Sequence, residues 1–186
     1  MGGITRAKPR TPSRGSGRNP VMNRIVIRQA GPHDVATMNE IYNTVVVDSH
    51  VSFDTEPWTD DARAAWFVER TNAGFPVLVA ESEGNIVGVA WSGPWRDKAA
   101  YRRSAETTVV LDPAVVGRGF GTVLLRALVD RLTEDGYHRA YAIVALPNEA
   151  SVAVHKKVGY REVGVLDEAG FKNGRYISTL LLEKRC

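Results

Sequence analysis

The stretch from Val109 to Leu125 constrains the fold more than any other part of the chain. It reads VVLDPAVVGRGFGTVLL, so a β-branched run is followed by a proline, three alternate glycines and an apolar run at helical spacing. Because proline cannot donate to a sheet ladder, Pro113 ends the strand. A strand that turns through glycines into a helix points several free N–H groups and the positive end of the helix dipole at one place. The stretch therefore predicts an anion site suited to a phosphate or diphosphate.

Spacing distinguishes three known phosphate-binding turns. A Walker loop needs a lysine directly before its Ser or Thr, but here Gly121 precedes Thr122. A Rossmann turn needs a third glycine where Thr122 stands. The diphosphate loop of acyl-CoA-dependent N-acetyltransferases, Gln/Arg-x-x-Gly-x-Gly/Ala, is matched in its second half by Gly119-Phe120-Gly121, although Val116 replaces its Gln or Arg. An ordinary glycine-rich turn before a buried helix is the alternative interpretation.

Length and composition favour one globular domain. The chain has 186 residues, of which 44% are hydrophobic, so it is long enough for a sizeable core. No apolar run approaches the roughly 18 residues that cross a bilayer, and no signal-peptide pattern is present, so we expect no membrane partner. The single cysteine, Cys186, allows no internal disulfide and favours a reducing cytoplasm.

The first residues of the chain differ in composition from the rest. Residues 1–22 carry five cations and no acid and have few apolar side chains, so we expect a disordered basic leader, followed by a single domain over residues 23–186. A basic arm that binds an acidic partner is the alternative. Without those five cations, 19 basic residues stand against 21 acidic ones, and a body of that balance predicts no nucleic-acid partner.

Hydrophobic periodicity divides the domain into alternating elements. Period-two runs predict strands at 25–27, 76–80, 86–91, 104–111, 140–145, 163–166 and 176–183. Helical spacing predicts helices at 31–46, at 59–74, from the glycine turn to about 136, and at 147–159. The order β-α-α-β-β-β-α-β-α-β-β predicts one mixed sheet with helices on both faces.

A second motif lies near the C-terminus. The segment from Asn148 through Ser151 and His155 to Gly159-Tyr160 resembles the Asn-x-x-Ser…Tyr/His-x-x-x-Gly-Phe/Tyr helix of the GNAT N-acetyltransferases. Asn148 and Ser151 are suited to begin and cap a helix, and His155 follows one turn after Ser151 on the same face. The resemblance implies the α/β (α+β) GNAT acyl-CoA N-acyltransferase fold, with a central, mixed and mostly antiparallel sheet of about seven strands.

Four further segments narrow the resemblance to the phosphinothricin and methionine sulfoximine N-acetyltransferases. They are Phe53-Asp54-Thr55-Glu56-Pro57, Gly93-Pro94-Trp95, Ala105-Glu106-Thr107-Thr108-Val109 and Gly170-Phe171-Lys172-Asn173-Gly174-Arg175. The resemblance runs from about Ile25 to Lys184. It implies acetyl-CoA as cosubstrate, no metal, and a homodimer.

The resemblance also assigns the cofactor-binding residues. It implies that the main chain of one strand pairs with pantetheine, that the glycine turn holds the diphosphate, and that the start of the last helix holds the pantetheine arm. These residues are Val109, Val110 and Leu111 in the strand, Val116, Gly117, Arg118, Gly119, Phe120, Gly121 and Thr122 in the turn, and Asn148 and Ser151 in the helix. Val116 departs from the family pattern, but main-chain N–H groups form most of such a site.

Glu106 and His155 are the catalytic pair that the resemblance implies. A protonated amine must lose a proton before it attacks a thioester, and partial burial raises the pKa of a carboxyl toward the range that a base needs. The expelled thiolate needs a proton, which His155 is suited to supply because imidazole titrates near pH 7. Tyr160 is the alternative donor. A solvated strand carboxylate and a structural helix histidine are the alternative interpretations of the pair.

Phe53, Arg96, Lys98 and Tyr101 match the positions that form the family's amino-acid pocket. Two cations suit a carboxylate or a phosphinate, whereas packing aromatics and solvated cations are the alternative interpretation. Asp54 stands where some members have Arg, which leaves the exact substrate open.

The resemblance predicts an acetyl-CoA-dependent N-acetyltransferase that acts by direct transfer on the α-amino group of a small glutamate-like amino acid. Phosphinothricin, methionine sulfoximine or a related toxic analogue is the expected substrate, which would make the enzyme one of resistance. Two alternatives stay open at this point: acetylation of a protein N-terminus or other peptide amine, and a non-catalytic acyl-CoA-binding module. The second would have no use for Glu106 or the segment from Arg96 to Tyr101.

Overall fold

The computed structural model describes residues 25–186, so the expectation of a disordered leader over residues 1–22 lies outside the described part of the chain. The strands are β1 (Ile25–Gln29), β2 (Val77–Ser82), β3 (Asn85–Pro94), β4 (Ser104–Leu111), β5 (Arg139–Ala145), β6 (Arg161–Lys172) and β7 (Arg175–Arg185). The helices are α1 (Val35–Asp48), α2 (Asp60–Asn72), α3 (Phe120–Glu134) and α4 (Glu149–Val158). Short 3₁₀ turns occupy Pro32–Asp34, Ala99–Tyr101 and Pro113–Val115.

Several elements extend beyond the pattern-based expectation; β3, for example, runs to Pro94 rather than ending at 91. The first helix begins as a 3₁₀ turn at Pro32–Asp34, and its α-helical part runs on to Asp48 rather than stopping at 46. The predicted strand at 163–166 is only the centre of β6, which spans Arg161–Lys172. Its register against β7 shifts between Glu162 and Gly164 and again between Leu166 and Gly170. Such irregularities interrupt the period-two alternation, which is why the pattern ends too early.

The seven strands form one sheet in the order β1-β2-β3-β4-β5-β7-β6. All neighbours are antiparallel except β4 and β5, so the mixed and mostly antiparallel sheet is confirmed. The parallel pair is short. Only three residues of β4 have a partner on β5: Ser104 pairs with Arg139, Ala105 with Ala140 and Glu106 with Tyr141. Beyond Glu106 the two strands separate, and a wedge opens in the middle of the sheet.

Helices cover both faces of the sheet. On one face α3 and α4 form the larger core, in which Leu124, Leu125 and Leu128 are fully buried. On the other face α1 and α2 supply a smaller core that includes Met38 and Phe67. No helix within residues 25–186 is long and apolar enough to span a membrane.

Strand β4 contributes side chains to both cores. Ala105, Val109 and Leu111 pack with the α3 and α4 core, and Val110 packs with the α1 and α2 core. Because side chains alternate along a strand, Glu106 points to the α1 and α2 face. The wedge between β4 and β5 therefore lies beside a carboxylate on one face and beside α4 on the other.

Candidate active site

The glycine turn joins the end of β4 to the start of α3. The side chain of Asp112 accepts a hydrogen bond from the N–H of Ala114 at 2.8 Å and starts the 3₁₀ turn Pro113–Val115. Gly117 and Gly119 follow with φ angles of +86° and +84°. Only glycine takes this left-handed conformation without strain, so the spacing of these two glycines is what lets the chain turn into α3.

The N–H groups of the turn divide into two sets. Those of Val116, Arg118 and Thr122 bond internally, to Pro113 O at 3.4 Å, Val115 O at 3.3 Å and Gly119 O at 3.1 Å. Four others have no acceptor within residues 25–186, namely the N–H groups of Gly117, Gly119, Phe120 and Gly121. These four donors lie at the N-terminus of the 15-residue helix α3, where the helix dipole adds positive potential. The arrangement suits a diphosphate.

The wedge supplies a second binding surface next to the turn. On one side β4 is fully paired with β3, including the pair Val89–Val110. On the other side, the edge of β4 from Thr107 to Leu111 has no strand partner in the described chain. Thr107 closes the narrow end of the wedge, because its hydroxyl donates to the Tyr141 carbonyl at 3.0 Å. The free edge can pair with an extended ligand that carries amides, as pantetheine does.

Asn148 lies on the opposite wall of the wedge, at the start of α4. Its side-chain oxygen accepts the N–H of Ser151 at 3.1 Å, which makes it the N-cap of the helix. The amide nitrogen of Asn148 has no acceptor among the described residues. One side chain can therefore cap α4 with its oxygen and donate to a ligand with its nitrogen.

Glu106 occupies the last paired position of β4 before the wedge opens. Its neighbours across the sheet are Gly93 of β3 and Tyr141 of β5. Burial raises the pKa of the Glu106 carboxyl, and the positive charges of Arg96 and Arg70 partly oppose that shift. No donor within residues 25–186 bonds to the carboxylate. A half-buried carboxylate with a raised pKa and free oxygens has the properties of a general base.

His155 is buried in α4, with 3% of its surface exposed. Its Nδ1 lies 2.8 Å from the Ser151 carbonyl, and since a carbonyl only accepts, Nδ1 carries the proton of the neutral ring. Nε2 is buried and has no partner in the described chain. Burial also lowers the pKa of His155, so the ring is neutral at neutral pH and presents a lone pair at Nε2. In this form Nε2 accepts a proton; it donates one only after being protonated.

Tyr160 lies edge-on to His155, with 5.1 Å between the ring centroids. Its hydroxyl is 2.8 Å from Thr107 Oγ1. Because Thr107 donates its own proton to the Tyr141 carbonyl, Tyr160 is the donor in that contact. Burial raises the pKa of Tyr160 well above its usual value. Glu106 and the pair His155–Tyr160 face opposite sides of the sheet, with the wedge between them.

The residues predicted for the amino-acid pocket fall into two groups. Arg96, Lys98 and Tyr101 line one cavity of about 410 Å³, together with Phe75, Pro94, Asp97, Arg102, Ser104 and Tyr137. Phe53 does not line it. Its ring lies instead on Gly170 of β6, where an added Cβ would stand 2.6 Å from the ring carbon Cζ. Glu106 does not line this cavity, but Arg96 does, and the positive charge of Arg96 acts on the Glu106 carboxyl.

The loop that carries Phe53 is fixed from two sides. Asp54 accepts hydrogen bonds from the Tyr42 hydroxyl at 2.6 Å and from Trp58 Nε1 at 2.7 Å. Lys172, which is 3% exposed, donates to the carbonyls of Val46 at 2.7 Å and Ser52 at 2.9 Å. Asp54 therefore serves the loop itself, although the sequence suggested a role in substrate choice.

Sequence reasoning missed Lys172 and Arg70 as residues that shape the site. The sequence indicates Lys172 only as part of a matching segment, and no sequence pattern singles out Arg70. Lys172 contacts Val46 and Ser52, and Arg70 contacts Gly93, so each contact joins positions far apart in the sequence. No local sequence pattern could have revealed these contacts. Among residues 25–186, no group of three or more His, Cys, Asp or Glu side chains is arranged to hold a metal.

Comparisons with known proteins agree with this geometry. Residues 38–160 match the family model described as the acetyltransferase (GNAT) family. The phosphinothricin N-acetyltransferase of Streptomyces coelicolor is 39% identical over 155 residues, covering 82% of this chain and 91% of the relative. The L-methionine sulfoximine/L-methionine sulfone acetyltransferase of Salmonella typhimurium is 32% identical over 159 residues, covering 86% of this chain and 93% of the relative.

A solved structure gives the same result for the fold. The GNAT superfamily phosphinothricin acetyltransferase of Sinorhizobium meliloti, in complex with AcCoA, superposes with a TM-score of 0.84 at 30% identity. The match covers 87% of this chain and 88% of that one. These homologues support acetyl-CoA as the acetyl donor. The chain belongs to the GNAT acetyltransferase family and is an N-acetyltransferase.

Proposed function

We propose that this enzyme acetylates the α-amino group of a small amino acid with an anionic or strongly polar side chain, such as phosphinothricin or methionine sulfoximine. The observation that carries the proposal is the cavity that Arg96, Lys98 and Arg102 line with three cations against the single carboxylate of Asp97. A cavity of that charge favours an acidic or strongly polar side chain over a cationic one. The names of the similar enzymes support the same substrate class.

The same proposal assigns the cofactor to the wedge. The diphosphate of acetyl-CoA lies on the free N–H groups of the glycine turn, and pantetheine pairs with the open edge at Val109, Val110 and Leu111. Asn148 and Ser151 hold the pantetheine arm from α4. The four unpartnered N–H groups and the unpaired strand edge support this placement.

Glu106 acts as the general base in the proposed reaction. It removes a proton from the ammonium group, directly or through a water, and the free amine attacks the thioester carbonyl. The C–S bond then breaks as the N–C bond is completed, and the nitrogen releases its second proton to solvent as it becomes the amide. The CoA thiolate takes up a proton, for which Tyr160 is the candidate donor; the neutral His155 donates one only after its Nε2 has itself been protonated. Transfer is direct, without a covalent acyl-enzyme, because burial raises the pKa of the thiol of Cys186, the sole cysteine, and leaves it a weak nucleophile.

Thiol release with a panel of amines tests the proposal. We expect purified protein and acetyl-CoA to release CoA thiol with L-phosphinothricin, L-methionine sulfoximine or L-methionine sulfone, well above the rate without amine. A short peptide with a free N-terminus is the comparison for the peptide-amine alternative. Release with the peptide alone would replace the proposed substrate class. Cofactor binding without any release would favour a non-catalytic module.

We propose further that the enzyme is a homodimer that inactivates toxic amino-acid analogues in the cytoplasm. Support for the dimer comes from β6 and β7, where five large apolar side chains are between 47% and 65% exposed: Val163, Val165, Leu166, Phe171 and Tyr176. A patch of that kind on a folded domain is typical of an interaction surface.

We expect sedimentation velocity to give twice the mass of one chain, and Val165→Lys to give a monomer. A monomeric wild type would contradict this proposal without affecting the catalytic one.

A further inference from the structure

Arg70 of α2 lies on the same face of the sheet as Glu106. Its Nη1 occupies the place where a side chain at Gly93 would begin, so the guanidinium rests directly on the main chain of β3. Gly93 is the register partner of Glu106 on the neighbouring strand. Directly opposed Cβ positions in an antiparallel pair are about 5 Å apart and share one face. Arg70 and Glu106 are therefore next to each other above the sheet.

The guanidinium of Arg70 is held by rings rather than by a carboxylate. It lies 5.3 Å from the Trp66 ring centroid and 5.7 Å from that of Phe75. No carboxylate or carbonyl within residues 25–186 accepts a hydrogen bond from it, and Glu106 does not come within ion-pair distance. Burial lowers the pKa of Arg70, which means that the partly desolvated cation gains from an anion.

We infer that Arg70 binds the α-carboxylate of the acceptor amino acid and thereby places the α-amine beside Glu106. The inference rests on the proposed function and specifies how that site recognises an α-amino acid. In an amino acid the amine is two covalent bonds from the carboxyl carbon. An acceptor whose carboxylate pairs with the fork of Arg70 therefore brings its amine toward the neighbouring carboxylate. The side chain is then free to extend toward Arg96 and Lys98.

L-Methionine sulfone is the probe that tests this inference, because its only carboxylate is the α-carboxylate. We expect Arg70→Gln to raise KM for L-methionine sulfone by about 10-fold to 100-fold, as expected for the loss of charge-assisted hydrogen bonds. KM for acetyl-CoA and the melting temperature should change little. The KM of Arg70→Lys should lie between those of wild type and Arg70→Gln, since lysine keeps the positive charge and loses the paired N–H donors of the guanidinium. Arg131→Gln, which removes an exposed cation of α3, is the charge-matched control and should behave as wild type.

The α-carboxamide of L-methionine sulfone separates carboxylate binding from other effects. Wild type should prefer the acid to the amide, and Arg70→Gln should lose most of that preference. Two results would show that Arg70 acts through Glu106 and would overturn the inference. One is an equal loss of kcat/KM on the acid and the amide. The other is a change confined to kcat and to the fall of kcat at low pH.

Calorimetry of the same two compounds with the CoA-saturated protein gives a readout that does not require turnover. Tight binding of the acid that Arg70→Gln weakens would support the inference even if no acetylation were seen, and then only the proposed function would fail. Binding that is equal in wild type and Arg70→Gln, or absent from wild type, would reject the carboxylate site.

Discussion

Glu106→Gln should lower kcat/KM for the amino-acid substrate by about 10²-fold to 10⁴-fold, the usual contribution of a general base. Glutamine keeps the shape of the side chain but cannot accept the amine proton. KM for acetyl-CoA should change little, because the glycine turn and the free edge of β4 do not depend on this carboxylate. Steady-state kinetics over a range of pH measures both constants.

The pH dependence gives a second check on the same variant. Burial raises the pKa of Glu106, so wild-type kcat/KM should fall as the pH drops through that raised value. The residual activity of Glu106→Gln should lack this acidic limb. Glu162→Gln on β6 removes the same charge from an exposed strand position and serves as the control. An acidic limb that survives in Glu106→Gln would remove Glu106 from the role of base.

Stability should change in the opposite direction from activity. A carboxyl whose pKa is raised by folding binds more protons in the native state than in the unfolded chain. Its contribution to stability therefore falls as the pH rises from the unfolded pKa through the folded one. Glu106→Gln should accordingly melt at a higher temperature than wild type at pH 8, and this difference should shrink toward pH 4.5. Equal melting curves at both pH values would contradict the burial of this charge.

Gly119→Ala should raise KM for acetyl-CoA by about tenfold or more. Gly119 has a φ of +84°, and an alanine there is strained by roughly 1–2 kcal/mol. A relaxed turn would redirect the free N–H groups of Gly119, Phe120 and Gly121 away from the diphosphate, with the loss of one or more charge-assisted hydrogen bonds. KM for the amino-acid substrate should change much less than KM for acetyl-CoA.

Gly84 provides a matched control for this substitution. It lies in the β2–β3 hairpin with a φ of +80°, and as at Gly119 nothing lies within 4 Å of an added Cβ. Gly84→Ala should therefore lower the melting temperature by a similar amount while leaving KM for acetyl-CoA unchanged. If both variants raised that constant equally, general destabilisation would explain the result, and the turn would lose its assignment as the diphosphate site.

The sequence was informative wherever the controlling interaction is local. The strand end at Pro113, the left-handed glycines of the turn and the cap at Asn148 all follow from residues within a few positions of one another. These features determine the fold class, which is why it could be predicted, and they form the surfaces that we propose for the cofactor. The extent of β6 could not, because its two register shifts depend on the pairing with β7.

The acceptor side of the site depends on contacts between distant segments. Phe53 could be matched to a pocket motif, but its contact with Gly170 joins positions more than a hundred residues apart. The same holds for Lys172, which bonds to the carbonyls of Val46 and Ser52. The protonation state of His155 depends on its burial in the folded structure, and the helix motif in the sequence does not predict that burial. Residue types at the acceptor site were therefore predictable, whereas their grouping was not.

The short parallel ladder between β4 and β5 also has a mechanical consequence. Strands β1 to β4 form one antiparallel unit and β5 to β7 another, and within residues 25–186 the two are joined through the main chain by three register pairs and the bond from the His138 N–H to the Arg103 carbonyl. A cosubstrate bound between the two units, as we propose, would hold them together, because a ligand that binds only the native state adds to its stability by mass action. Without it, the α3 and α4 core, which contains residues of both units, is their main remaining link, so resistance to unfolding would follow the supply of acetyl donor.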